Sequence, residues 1–335
     1  LPKAFIAGHN DGVPLIKILI QVVKMDNLAD THELFKPRAT GSPERDNEVP
    51  SALVNLDVAA LTHPGKVRPN NEDQFLVGRT ERDLEVLLTS LDQDQISRHS
   101  RETGYGMIVA DGMGGEAGGE VASRLAIRTL LELVIQTPDW LMRIDDELAA
   151  ELLTRTTDRY RKVHEAIRDE ADSNPSLARM GTTLTVAVSL AADLFVIHVG
   201  DSRAYLLRNG QLSQLTRDQT VVQSLIDAGI LTHQEAATHK MRHVLTQALG
   251  QSAGKLKIET QRLKLEDGDC LLLCTDGLTE MVPDSEILAV LNNSGKATQH
   301  CQALLDKALD AGGKDNITVV VAHYSLPSMT QRRRP

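Results

Sequence analysis

At 335 residues the chain has room for one large domain or two ordinary ones, and 41% hydrophobic with 24% charged residues is a globular composition, not a disordered one. A net charge of -10 and only nine Phe, Trp or Tyr residues argue against nucleic acid as a partner, because phosphate tracking needs a basic face and single strands need aromatic platforms. Three cysteines (Cys270, Cys274, Cys301) without a CxxC pair are too few for a disulfide framework or a structural zinc site. The apolar stretch Val13–Val23 has 11 residues and includes Lys17 and Gln21, short of the roughly 20 needed to span a bilayer. No basic segment leads into a small-residue cleavage site. The expectation is a soluble, cytoplasmic protein.

In chain order, residues 37–50 (PRATGSPERDNEVP) combine three prolines, a Gly-Ser pair and charges, a linker composition that places a domain boundary near residue 51. This predicts an N-terminal extension over 1–50, a main domain over 51–326 and a basic tail over 327–335. Short Val-, Leu- and Ile-rich runs predict strands at 52–61, 73–78, 105–110, 182–190, 194–199, 203–208, 211–215, 256–263, 269–275 and 316–324. Residues 79–104 read as an extended polar hairpin. Asn209-Gly210 between YLLR and QLSQL is a two-residue hairpin signal. Helical periodicity marks 118–136, 145–170, 219–229, 284–292 and 297–310. Two helices stand together between groups of strands, which predicts an α+β domain with antiparallel sheets and not a doubly wound fold.

A recurring arrangement carries the chemistry. An apolar strand delivers an aspartate at its end, followed at once by a small or turn-forming residue: Asp111-Gly112, Asp201-Ser202 and Asp276-Gly277, with Asp315-Asn316 opening the last strand. Each pair alone reads more readily as a simple turn. Gathered together, such carboxylates repel unless cations neutralise them, and oxygen-only ligation selects hard ions such as Mg or Mn. Arg68-Pro69-Asn70-Asn71-Glu72-Asp73 adds a planar guanidinium suited to phosphate and two more carboxylates. The glycines at 112, 114, 115, 118 and 119 fit neither nucleotide-loop spacing and read better as a metal-approach loop. Cys270 and Cys274 lie on a core strand, and His198, inside an apolar strand, reads as a hydrogen-bonded core histidine.

In this order, RPNNED (68–73), VADGMGG (109–115), GTT (181–183), HVGDSRAY (198–205), LTRD (215–218), LTQALG (245–250), CTDGL (274–278) and DNIT (315–318) resemble the signatures of the metal-dependent protein phosphatases of type 2C, bacterial branch, over roughly 53–325. The resemblance implies two packed antiparallel sheets flanked by helix pairs, and a serine/threonine phosphatase that hydrolyses phosphoserine or phosphothreonine with a metal-activated water. By resemblance, Asp111 bridges two Mn or Mg ions and the Gly112 carbonyl, Asp276 and Asp315 complete the direct ligands. Glu72 and Asp73 are similar to residues that hold metal-bound waters. Arg68 resembles the residue that grips the phosphate, and Asp201 the anchor of a weaker third metal. The partners implied are phosphorylated proteins made by a serine/threonine kinase, with a monomer expected. The alternatives are a non-catalytic phosphoprotein-binding member and a phosphatase for small esters. Two positions depart from the family: Met113 stands where many eukaryotic members carry a candidate acid histidine, and LTRDQT replaces LTxDHS, with Gln219 for histidine at the start of a flap-like segment, 217–244.

Overall fold

A computed structural model describes residues 54–90, 99–114, 118–136, 145–251 and 255–326. The apolar stretch at 13–23, the linker at 37–50 and the tail at 327–335 lie outside them.

The strands β1 (Asn55–His63), β2 (Gln74–Glu85) and β3 (His99–Ala110) lead into a short ribbon strand, β4 (Gly112–Met113). The helices α1 (Gly118–Gln136) and α2 (Asp146–Ser173) then precede β5 (Gly181–Thr182), β6 (Leu184–Leu190), β7 (Asp193–Val199), β8 (Arg203–Arg208) and β9 (Gln211–Gln214). After α3 (Val221–Asp227) and α4 (His233–Ala237) come β10 (Glu259–Lys264) and β11 (Cys270–Cys274). The chain continues through α5 (Asp276–Thr279), α6 (Asp284–Leu291), α7 (Ala297–Asp310) and β12 (Ile317–Ser325).

Two five-stranded antiparallel sheets result, in the orders β1-β12-β11-β8-β9 and β10-β7-β6-β3-β2. Their inner faces meet through Met107, Val109, Ala204, Leu271, Leu273 and Val320. The alternate residues Ile108 and Ala110 face α1 and α2, whose Ala122, Ala126, Val163 and Ile167 cover them. Cys270, Leu272 and Cys274 likewise face α6 and α7, against Ile287, Cys301 and Leu304. Because both faces are covered, the inner strands are mostly apolar on both faces, as in CLLLC of β11, and the few polar side chains among them, such as Thr185, His198 and Thr318, are buried. Burying each such side chain contributes about 1.5–3 kcal/mol against the entropy of ordering it. This is the expected α-β-β-α sandwich.

Local rules set the element ends. Asp145 caps α2 by accepting from the Leu148 N–H at 2.8 Å, and Asn209 (φ 51) with Gly210 (φ 75) makes the turn that pairs Arg208 with Gln211. The predicted hairpin over 79–104 is present in its arms, where β2 and β3 pair from Gln74↔Ala110 to Glu85↔His99; its tip at 91–98 lies outside the described residues. The run predicted as one strand over 182–190 is two, broken at Thr183. The helix expected from 219 begins at Val221, with Thr220 as its cap. The two-residue ribbon of β4 and β5, and the short α4 and α5, go beyond the sequence reading. Among the described residues no helix is long and apolar enough to cross a membrane.

Candidate metal centre

The aspartates singled out in the sequence converge at one end of the sandwich. Asp111 follows β3, Asp201 follows β7 by one glycine, Asp276 opens α5 with one residue between it and β11, and Asp315 precedes β12. The GTT segment fixes the first of these: the Thr183 hydroxyl accepts from the Asp111 N–H at 2.9 Å, and the Thr182 hydroxyl donates to the Asp111 carbonyl at 2.8 Å. Thr183 also shares a hydrogen bond with the Ser202 hydroxyl at 2.7 Å, which ties the Asp111 strand end to the Asp201 turn. Gly112 is required here, since a Cβ would strike the Gly119 backbone and come within 2.7 Å of the Glu72 carbonyl oxygen.

Asp73 is 1% exposed. Its Oδ2 accepts from the Thr275 hydroxyl at 2.7 Å and the Thr318 hydroxyl at 2.8 Å, while Oδ1 is buried with no hydrogen-bond partner. A buried carboxylate oxygen left in that state is costly. Burial, and next the neighbouring Asp276 and Asp315, push the Asp73 carboxyl up to about 7 against the pull of its two threonines. Asp276 also rises to about 7, from burial first and then Glu280 and Asp315, although it is hydrogen-bonded to Asp111. Asp111 and Asp201 are driven well above the usual carboxylate range, mainly by burial and then by the other carboxylates, Asp276 prominent among them.

At the rim, the Arg68 Nη2 donates to the Asp315 Oδ2 at 2.6 Å, with the Arg68 side chain 54% exposed. Glu72 feels Arg68, Asp315 and Glu120, though burial dominates and raises its carboxyl. Its backbone N–H donates to the Asn316 Oδ1 at 2.8 Å and its carbonyl accepts from Ser123 at 2.6 Å, so the RPNNED loop is held from two sides. All the predicted site residues therefore belong to one neighbourhood. The donors are oxygen atoms, two of the carboxylates touch, and one buried oxygen has no partner; this donor set fits hard cations and is electrostatically strained without them.

Sequence reasoning missed part of this site. Thr275 and Thr318 hold Asp73, and Thr62 bonds Thr318 from behind; nothing in their local pattern distinguishes these threonines from ordinary strand threonines. His243 and Glu280 form an ion-pair contact, and with Asp276 their ligand atoms lie within 4.8 Å of one another. Glu280 had a signal, its four-residue spacing from Asp276 at a helix start; His243 had none. His198 is the core histidine expected, bonded to Thr185 at 2.8 Å and to the Gly200 carbonyl at 3.0 Å. Burial raises the thiols of Cys270, Cys274 and Cys301 to about 12, so none is a nucleophile at neutral pH.

A sequence model described as "Protein phosphatase 2C" matches residues 89–311. The chain belongs to the protein phosphatase 2C family. The serine/threonine protein phosphatase PstP of Mycobacterium tuberculosis is 36% identical over 267 residues, 80% of this chain and 45% of the relative. The chain thus spans less than half the length of that relative. The serine/threonine phosphatase stp of Listeria welshimeri is 37% identical over 220 residues, 66% of this chain and 84% of the relative. Among solved structures, the catalytic domain of PstP in complex with two manganese ions superposes with a TM-score of 0.64 at 34% identity, covering 81% of this chain and 99% of that one. The sandwich is therefore the fold of the protein phosphatase 2C family.

Proposed function

We propose that this chain is a metal-dependent protein phosphatase that hydrolyses phosphoserine and phosphothreonine. The observation that carries the reading is the set of aspartates 73, 111, 276 and 315, crowded at one sheet end with the Arg68 guanidinium at its rim. Relatives named as serine/threonine phosphatases, one solved with two manganese ions, support it.

In this proposal Asp111, the Gly112 carbonyl, Asp276 and Asp315 hold two Mn or Mg ions, Glu72 and Asp73 hold water around them, and Asp201 anchors a weaker third beside Asp276. Two such ions supply a water ionised near neutral pH and positive charge against the phosphate oxygens. Arg68 binds the phosphate with its planar fork and orients it against the cluster. The Thr275 and Thr318 hydroxyls keep the Asp73 Oδ2 fixed, leaving the buried Oδ1 for a cation or the water it holds. Met113 has no proton to give, so the leaving oxygen draws its proton from solvent or from another side chain. We further place the protein in the cytoplasm as a monomer acting on products of a serine/threonine kinase, with residues 51–326 as the catalytic domain. The unreactive, reduced thiols agree with that compartment.

The test is turnover of a phosphothreonine peptide against added Mn or Mg. Activity should be abolished by EDTA and restored by Mn; full turnover in chelator, with metal removal confirmed, would falsify the proposal.

A further inference from the structure

Gln219, one of the two positions at which this chain departs from the family pattern, is 5% exposed. Its Oε1 accepts from the Gly200 N–H at 2.9 Å, and its own N–H donates to the Gly200 carbonyl at 2.7 Å. Its Nε2 donates to the Lys257 carbonyl at 3.2 Å. Its carbonyl accepts from both the N–H and the hydroxyl of Thr246, at 2.7 and 2.9 Å. The preceding Asp218 accepts from the Arg203 guanidinium at 2.8 and 2.6 Å. Asp218 and Gln219 therefore grip the Gly200–Arg203 turn at its two ends, with Asp201 between them.

Thr246 and Thr220 stand at the two roots of the flap-like segment. Val221 N–H donates to the Val244 carbonyl at 2.8 Å and Thr220 bridges Leu245, which closes that segment into a loop. His243, three residues before Thr246, reaches Glu280 and Asp276. The Gln219 side chain is thus bonded at once to the turn that carries Asp201 and to the 255–258 stretch, while its backbone holds the far root of the loop.

We infer that Gln219 is a positioning residue, which registers the 220–244 loop over the carboxylate cluster and so governs recognition of peptide substrates. The inference rests on the phosphatase reading above. A small aryl phosphate needs only Arg68 and the cluster. In this inference a peptide also lies against the loop, whose Ile230 and Val244 are 65% and 46% exposed and offer it apolar contact. An amide suits the position because it accepts at one atom and donates at the other; a neutral imidazole can do both as well, which accounts for the family's histidine there.

The experiment is steady-state kinetics of Gln219→Leu and Gln219→His on a phosphothreonine peptide and on p-nitrophenyl phosphate at saturating Mn, with melting temperatures measured in parallel. Gln219→Leu leaves the Gly200 N–H and the Lys257 carbonyl unpaired. It should raise the peptide KM about tenfold, the equivalent of one hydrogen bond, and leave kcat and KM for p-nitrophenyl phosphate within about twofold. Gln219→His should return the peptide KM to near wild type, and trypsin should cut the 220–244 loop faster in Gln219→Leu. Equal losses on both substrates, or an unchanged peptide KM, would overturn the inference. If the leucine variant does not fold, Gln219→Glu replaces it: it keeps the bond to Gly200 and sets an oxygen against the Lys257 carbonyl, and the same split between substrates is required of it. A wild-type protein that turns over neither substrate with Mn sinks the phosphatase reading instead.

Discussion

Thr318 is fully buried and never touches the cluster's open side, yet its hydroxyl bears on how the site takes up metal. The Asn71 side-chain amide donates to the Thr62 hydroxyl at 2.8 Å, Thr62 pairs with Thr318 at 2.8 Å, and Thr318 donates to the Asp73 Oδ2 at 2.8 Å. Thr318→Val replaces the hydroxyl by a methyl of similar size, so it opens no cavity and removes one of two donors from a carboxylate whose charged form burial already disfavours. A hydrogen bond to a charged group contributes about 1.5–3 kcal/mol. If the charged Asp73 helps hold the ions, that loss appears as roughly a 10- to 100-fold weaker metal affinity at 1.4 kcal/mol per decade. The same range is typical for removing a partner of a metal ligand. The assay is Mn titration by calorimetry together with the Mn concentration for half-maximal p-nitrophenyl phosphate turnover. Both midpoints should rise by that factor while kcat at saturating Mn stays within a few-fold, and Thr318→Ser should recover most of the loss. A folded Thr318→Val protein with an unchanged Mn midpoint would refute the reasoning.

Asp276→Asn removes one charge from carboxylates that repel one another, so its melting temperature in EDTA should equal or exceed that of wild type. Mn should no longer raise it, and activity should fall at least about 100-fold, since metal-centred charge stabilisation supplies several kcal/mol; retained turnover at saturating Mn contradicts the ligand assignment. His323, bonded to His300 at 2.9 Å, is held below the ordinary histidine range by burial and then by His300. Below about pH 6.5 the unfolded chain therefore takes up this proton first, and stability falls as pH drops from there. His164 and His198 shift in the same sense, so His323→Asn should reduce this acid-side loss, not abolish it, in denaturation curves between pH 8 and 5; a slope equal to wild type counts against the account. Deleting residues 1–50 should leave p-nitrophenyl phosphate hydrolysis intact, because every proposed ligand lies between Glu72 and Asp315 and, among the described residues, the first strand begins at Asn55; a folded but inactive truncation would show the boundary near 51 to be misplaced.

The sandwich was legible in the sequence because its inner strands are covered on both faces: CLLLC and ITVVVA read as buried strands from composition alone, and α7 was bounded correctly at 297–310. Asn209-Gly210 specified its hairpin because the turn demands positive φ at both residues. The aspartates and Arg68 stood out because the residue types at strand ends carry their chemistry wherever they lie. What only the tertiary structure decided is how remote segments meet. The ribbon of β4 and β5 is two residues per strand, too short for any periodicity, yet it sets the backbone beside Asp111. The donors to Asp73 lie 202 and 245 residues away, at the end of β11 and on β12, and His243 meets Glu280 across 37 residues. A threonine in an apolar run looks the same whether its hydroxyl faces solvent, a carbonyl or a buried carboxylate; strand order and register determine which, and these are set by packing across the whole sheet, not by any local stretch of chain.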